Sequence, residues 1–562
     1  MVTKIYKIIF FCLFVFYQNI LHSKSLEPPV FNEKYLYNYF SALVALDKNQ
    51  NYESLKFFNS SKYLKESHEP YIKKYIFSLI QSGKVKKAVN EVKTIKNESF
   101  ANFFEAQLLL VLDSLKKNDY EKSLDFINDL KRYEEEETFD FIVSSSLEEY
   151  IYLFNKKKTK INLEGQFGKL SLINRTLQSC YLGQPNTETF FDNLTNSKDE
   201  DDSRYLFFYA NYLIGQNNFS KAKNIFKNVH PLNSTLLISQ AKKWIDEGNY
   251  DNIEKVFSCK NSRDVVGEFL FIISNLYSEK EIEKSNFYFN LSNYLNPKFN
   301  FNSVLLADNY FKKGDFSKSE NILKNFGKRS EIYYWYRIKK IAQILDKKNK
   351  STESFDYIKE EFNKIENPSL KTIYEMGNIV KGFEKYDLSI KYYTKVLSLI
   401  EPTSIMYADI LFRRGGSYER IGNEKKSDED LLKSLEINPD EPHVLNYLAY
   451  SWLERNYKIE TAIEMLEQAY AQRENSPYII DSIGWAYYLT GKYVEAEKLL
   501  RKAVQIMPLD PIVNDHYGDI LWKLGRKTQA NYFLKNVLTF EDTEDEMKED
   551  IFYKLLKGPK KI

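Results

Sequence analysis

The chain is predicted to be all-α, a solenoid of antiparallel helix pairs stacked in chain order. Three observations predict this class. The 562 residues include only 19 glycines and 14 prolines, too few for the many tight turns of an all-β protein. Apolar residues make up 43% and charged residues 28%, the balance of an ordered chain with cores to bury. Above all, a pattern of small and large residues recurs about every 34 positions, the mark of a repeat architecture.

The clearest window is Pro477–Asp510, PYIIDSIGWAYYLTGKYVEAEKLLRKAVQIMPLD. Small residues stand at its positions 8, 20 and 27 (Gly484, Ala496, Ala503). Large ones stand at positions 4, 7, 11, 17 and 24 (Ile480, Ile483, Tyr487, Tyr493, Leu500). The first set of spacings puts Ile480, Ile483, Gly484 and Tyr487 on one face of a first helix. The second puts Ala496, Leu500 and Ala503 on one face of a second. Helices approach closely only where side chains are small, which sets Gly484 opposite Ala496. Thr490-Gly491 makes the turn, and Pro508 ends the pair.

This window resembles the tetratricopeptide repeat, and the resemblance implies a right-handed superhelix. The frame continues in Pro511–Glu544 (Gly518, Ala530, Leu534, Val537) and Pro442–Ser476 (Ala449, Trp452, Ala462, Leu466, Ala469). It continues again in Ala408–Glu441 (Gly415, Gly422, Ser427, Leu431, Ser434) and Leu370–Ile405 (Gly377, Ser389, Tyr393, Val396). Weaker copies, with serine often in place of alanine, bring the total to about 13 units. The expected organisation is a signal at 1–25, degenerate repeats at 26–137, an irregular helical segment at 138–202 that allows a bend, degenerate repeats at 203–369, a well-formed array at 370–544 and a capping helix at 545–562. The capping helix rests on Met547, Ile551, Phe552, Leu555 and Leu556 among acids, suited to cover the last repeat's apolar face.

The first 25 residues read as an export signal. Lys4 and Lys7 precede a nine-residue apolar run, Ile8–Phe16, and Ser23 and Ser25 place small side chains at −3 and −1 of a cleavage site. The run is far shorter than the roughly 20 residues that span a bilayer. An uncleaved anchor is the alternative. Phe10-Phe11 before Cys12 disfavour lipid attachment there. Cleavage removes three lysines and no acid, turning a net charge of +2 into −1. Neither balance suits a nucleic-acid binder. Cys180 and Cys259 would remain, and their separation by more than one repeat predicts two separate thiols.

No motif for chemistry emerges. The three cysteines and five histidines show no zinc or redox spacing, so no cofactor or metal is expected. Gly-rich phosphate loops, a Gly-x-Ser-x-Gly elbow and His-Glu-x-x-His are absent. His443 and His516 carry no neighbouring partner and read as packing or groove residues. Acidic runs such as Glu134–Glu137, Lys198–Asp202 and Asp428–Asp430 read as solvated surface.

The remaining functional surface is the groove lined by first helices. The resemblance implies that positions 2, 5, 9, 12 and 13 face it. These are His443, Asn446, Tyr450 and Leu453; Tyr478, Asp481, Trp485 and Tyr488; and Asp515, Asp519, Trp522 and Lys523. The partner-binding residues expected are Asn446, Tyr450, Asp481, Trp485, Tyr488, Asp515, Asp519 and Trp522. Rings and carboxylates together suit an extended polypeptide bearing apolar side chains and Lys or Arg. The alternative is that Trp485 and Trp522 only pack between helices. Asp481 and Asp515 would repel a partner's C-terminal carboxylate, so a carboxylate clamp is not expected.

The segments NYLAYSWLER, DSIGWAYYLTGKYVEAEKLLRKA and NDHYGDILWKLGRKTQA look like exported bacterial tetratricopeptide proteins, some of which deliver substrates to carboxy-terminal processing proteases. The resemblance implies a non-enzymatic scaffold or adaptor in the cell envelope, periplasmic, with protein or peptide partners such as an envelope protease or assembly complex. The alternatives are an accessory subunit of an envelope enzyme and an enzyme housed in 138–202.

Overall fold

The computed structural model describes residues 33–48, 50–95, 98–133, 139–159, 167–195 and 203–559. The export signal, Cys12 and the acidic runs 134–137 and 198–202 lie outside them. Every regular element among the described residues is helical, and no helix there is long and apolar enough to cross a membrane. The chain forms two compact units, 1–348 and 349–562.

In the second unit the helix pairs follow the sequence frame. They are Leu370–Gly382 with Tyr386–Leu397, Ile405–Arg420 with Glu424–Ile437, Pro442–Glu454 with Ile459–Gln472, Pro477–Leu489 with Tyr493–Ile506, and Pro511–Lys523 with Lys527–Val537. Ser351–Asn363 precedes them and Asp545–Lys557 follows. Three first helices begin on proline, whose missing N–H costs nothing at that position. The Asp510 carboxylate caps one of them by accepting from Val513 N at 3.0 Å. The turn inside each pair demands a left-handed residue. Gly491 supplies it at φ 81°, whereas Glu384 holds the equivalent place at φ 58° without that freedom.

Close packing within each pair rests on one repeated contact. A Cβ added to Gly484 would lie 2.8 Å from Leu500 Cγ, and one added to Gly518 would lie 2.7 Å from Leu534. Gly415 faces Leu431 and Gly377 faces Tyr393 in the same way. The partner helix is the expected one, but the side chain filling the glycine's space is Leu500, not Ala496. The large residue at position 24 reaches across because position 8 has no side chain. Gly484→Leu is therefore expected to cost about 1–3 kcal/mol or more by overpacking. The loss should reach the flanking pairs, because each is held mainly by its neighbours. An unchanged melting profile, or loss confined to the turn at Gly491, would contradict this contact.

The first unit departs from a simple stack. Its helix Ile282–Leu295 buries Ser285, Asn286, Phe287, Tyr288, Phe289, Asn290, Leu291 and Ser292 in succession, so this stretch has no solvent face. It is enclosed because the helix Glu69–Gln81 packs against it. Phe77 stacks on Phe287 with centroids 5.6 Å apart, and Asn290 Nδ2 donates to Gln81 O at 3.3 Å. Tyr294 Oη donates to Asp113 at 3.0 Å, and Tyr120 Oη lies 3.1 Å from Ser262 Oγ. Helices far apart in sequence thus close on one another, and Asn290 Nδ2 finds its acceptor across that junction.

The same folding-back corrects the cysteine expectation. Cys180 and Cys259 form a disulfide, with Cα atoms 5.8 Å apart and a sequence separation of 79. Counting repeats along the chain placed them too far apart. The segment 139–195 instead supplies the helices Phe139–Lys156, Lys169–Leu182 and Thr187–Thr195, and the second of these ends against the turn after Asp251–Val256. Lys260 Nζ donates to Tyr181 O across that junction at 3.1 Å.

Candidate functional site: the groove of the C-terminal repeats

The expected groove residues lie on three consecutive first helices, Pro442–Glu454, Pro477–Leu489 and Pro511–Lys523. Six of them form one connected cluster. Asp481 is 5% exposed and its Oδ2 lies 2.8 Å from His516 Nδ1. The His516 ring stacks on Trp485 at 4.0 Å, and Trp485 stacks on Tyr488 at 4.8 Å. Trp485 Nε1 donates to Glu454 Oε1 at 3.0 Å. Asp515, next to His516 in the chain, and Asp519, one turn on, complete the cluster from the same helix. Tyr450 joins it electrostatically: burial first, then Glu454 and Asp481, raise its pKa far above the ordinary phenol range.

Asn446 is half-buried beside this cluster, with its Oδ1 unbonded. Trp522 stands at the far end, where Gly558 rests on its indole: a Cβ added there would come within 2.6 Å of the ring. Tyr478 is largely exposed, whereas Tyr488 and Leu453 are buried and serve packing as well.

Three contacts escaped the sequence reading. His516 has a partner, Asp481, but on the preceding repeat, 35 residues away. Glu454 meets Trp485 in the same cross-repeat manner. The third is made by Lys554 of the C-terminal helix. Its Nζ lies 2.7 Å from both Asp515 oxygens and 2.9 Å from Asp519 Oδ2. The signal for the first two was a spacing of about one repeat, 35 and 31 residues, between polar side chains on successive first helices. Lys554 had none, because it lies outside the repeat frame.

The electrostatics follow from burying three carboxylates together. Burial, then the like charge of Asp515, raises the Asp519 pKa to about 7 against the opposing pull of Lys554. Burial alone would lower the His516 pKa, but Asp481, with Asp515 and Asp519 behind it, outweighs burial and raises it. Lys554 is likewise opposed by burial and held well above the ordinary ammonium range by its two carboxylates. The ensemble is an acidic seat that retains protons and cations.

A pH dependence follows with a definite sign. Asp519 binds its proton more tightly folded than unfolded, where its pKa is near 4. Its contribution to stability is therefore lost as pH rises from there to about 7. His516, also raised, contributes fully below about 6.5 and loses that contribution as pH rises through its folded value. Amides in 511–557 should be more protected at about pH 5.5 than at about pH 7.5, after correction for intrinsic exchange, and Asp519→Asn should flatten the profile. Greater protection at the higher pH would contradict these directions.

The fold and groove define a repeat protein whose first helices present a shared surface. The tetratricopeptide repeat model matches residues 408–441, the helix pair Ile405–Arg420 and Glu424–Ile437. The chain thus carries a tetratricopeptide repeat at 408–441. The TPR repeat-containing protein PA4667 of Pseudomonas aeruginosa is 32% identical over 111 residues, 20% of this chain. That match spans 19% of PA4667, so the chain covers about a fifth of the curated relative it resembles. Among solved structures, MamA is 19% identical, with a TM-score of 0.25 over 34% of this chain and 97% of MamA. The thermophilic TPR protein TTC0263 of Thermus thermophilus is 16% identical, with a TM-score of 0.30 over 34% of this chain and all of that one.

Proposed function

We propose that the protein is a non-enzymatic scaffold or adaptor of the bacterial cell envelope that holds an extended segment of a partner protein in the groove of its C-terminal repeats. One observation carries the reading. Asn446, Asp481 and Asp515 occupy the same position of three successive repeats, and Tyr450, Trp485 and Asp519 another, so polar and aromatic groups recur along one line. A regular line of this kind matches the regular spacing of an extended backbone. Rings shield apolar side chains there, and carboxylates meet basic ones.

Export is supported by the charged and apolar pattern of the first 25 residues and by the buried disulfide, since such bonds persist in oxidising compartments. N-terminal sequencing of the protein recovered from a periplasmic fraction tests it. Cleavage after Ser25 is expected, and an intact Met1 in the membrane fraction points to the anchored form instead. The groove is tested on a partner captured from envelope extracts and then purified. Trp485→Ala should weaken its binding by about 2 kcal/mol or more per folded molecule. Full affinity in the Asp481→Lys/Trp522→Ala double variant would end the groove reading.

A further inference from the structure

Lys554 shows what the acidic end of the groove is built to hold. It belongs to the helix Asp545–Lys557, which also covers the end of the array: Ile551 is fully buried against Leu534 and Val537. Apolar capping needs only that contact. Yet the helix also sends an ammonium, itself 8% exposed, between two carboxylates of the groove and lays Gly558 on Trp522. The cap therefore occupies the groove as a ligand would.

It occupies the groove incompletely. Asp481 Oδ1 and Asp519 Oδ1 are buried with no hydrogen-bond partner among the described residues. Both carboxylates are nine-tenths buried or more. One resident lysine supplies three close donor contacts, whereas the row offers further acceptors that cost free energy while unmet. A segment with a second basic side chain one repeat away gains bonds that the resident does not make.

We propose that the helix 545–557 is a resident occupant of the groove, and that the partner is a basic segment whose lysine displaces Lys554 from Asp515 and Asp519. The exchange needs no covalent step. It rests on the groove reading above and adds to it the charge of the ligand and the identity of the competitor.

The test uses the full chain carrying Lys554→Glu, which sets a carboxylate against Asp515 and Asp519, with Lys554→Gln as the milder variant. The probe is a labelled synthetic peptide copying residues 545–559. Amide exchange across 545–557 should rise at least tenfold in Lys554→Glu, and the peptide should bind that variant at least tenfold more tightly than wild type. A peptide with alanine at its 554 position should lose that gain, as should adding Asp515→Asn and Asp519→Asn to the protein. The proposal is overturned if the helix stays as protected as in wild type, or if it opens and the peptide binds no more tightly. It is also overturned if a purified partner loses affinity in Trp485→Ala but binds wild type and Lys554→Glu equally. That last pattern leaves the groove reading standing.

Discussion

Glu268→Ala should unfold the first unit far more readily than any surface substitution, at a cost of about 3–5 kcal/mol. Glu268 is buried, and Arg204 meets it with two parallel bonds, Nε to Oε1 at 2.9 Å and Nη2 to Oε2 at 2.8 Å. Nη2 also donates to Asn302 at 2.9 Å, and the guanidinium lies 4.3 Å from the Phe271 centroid. Burial opposes the charge on Arg204, and Glu268 more than offsets it, holding the guanidinium pKa above its ordinary value. Removing Glu268 leaves a half-buried guanidinium facing rings and a neutral amide. The loss therefore measures an orphaned charge and not the net worth of the pair. The double variant Arg204→Met/Glu268→Leu separates the two, since it deletes both charges while keeping apolar volume. Denaturant unfolding should show the double variant recovering most of the stability lost in Glu268→Ala. A single-variant loss below about 1 kcal/mol would mean that water reaches Arg204 once its partner is gone.

The pair also shows what a sequence of this kind can and cannot reveal. Arg204, Glu268 and Asn302 lie in three different helix pairs, and nothing local links them. The C-terminal array was legible because its rules are local: glycine at position 8, a large residue 16 places on, and a left-handed residue in the turn between. Even there the pattern named Ala496, where packing selects Leu500, because spacing identifies a face and not the side chain that reaches across it. The enclosure of Ile282–Leu295 was less visible. Its consecutive buried Asn, Phe and Tyr residues have no amphipathic period, and their partners on Glu69–Gln81 lie some two hundred residues away. The groove divides in the same way. Asp481, Trp485 and Asp515 were readable from repeat position, whereas the His516 pairing and the Lys554 contact depend on how neighbouring repeats and the terminal helix are set against them.

The disulfide offers the second large effect. Replacing Cys180 and Cys259 by serine removes a cross-link between residues 79 positions apart. In the chain-entropy account, opening a loop of that length costs about 4–5 kcal/mol. Two further features favour a loss near that size. Both cysteines are buried, at 0% and 5% exposure, so the serine hydroxyls would enter an apolar site without assured partners. The bridge also joins the end of Lys169–Leu182 to the turn after Asp251–Val256, tying the irregular segment to the repeats that follow it. Two observations check this together. Thiol-alkylated protein should run differently under reducing and non-reducing conditions, and the double serine variant should show faster amide exchange on both sides of the junction, around 169–182 and 251–262. Oxidised protein that loses less than about 1 kcal/mol in the double variant would show that packing alone holds the junction. Free thiols in protein recovered from its native compartment would weigh against the exported location, because a buried pair already at bonding distance remains reduced only where the surroundings reduce it.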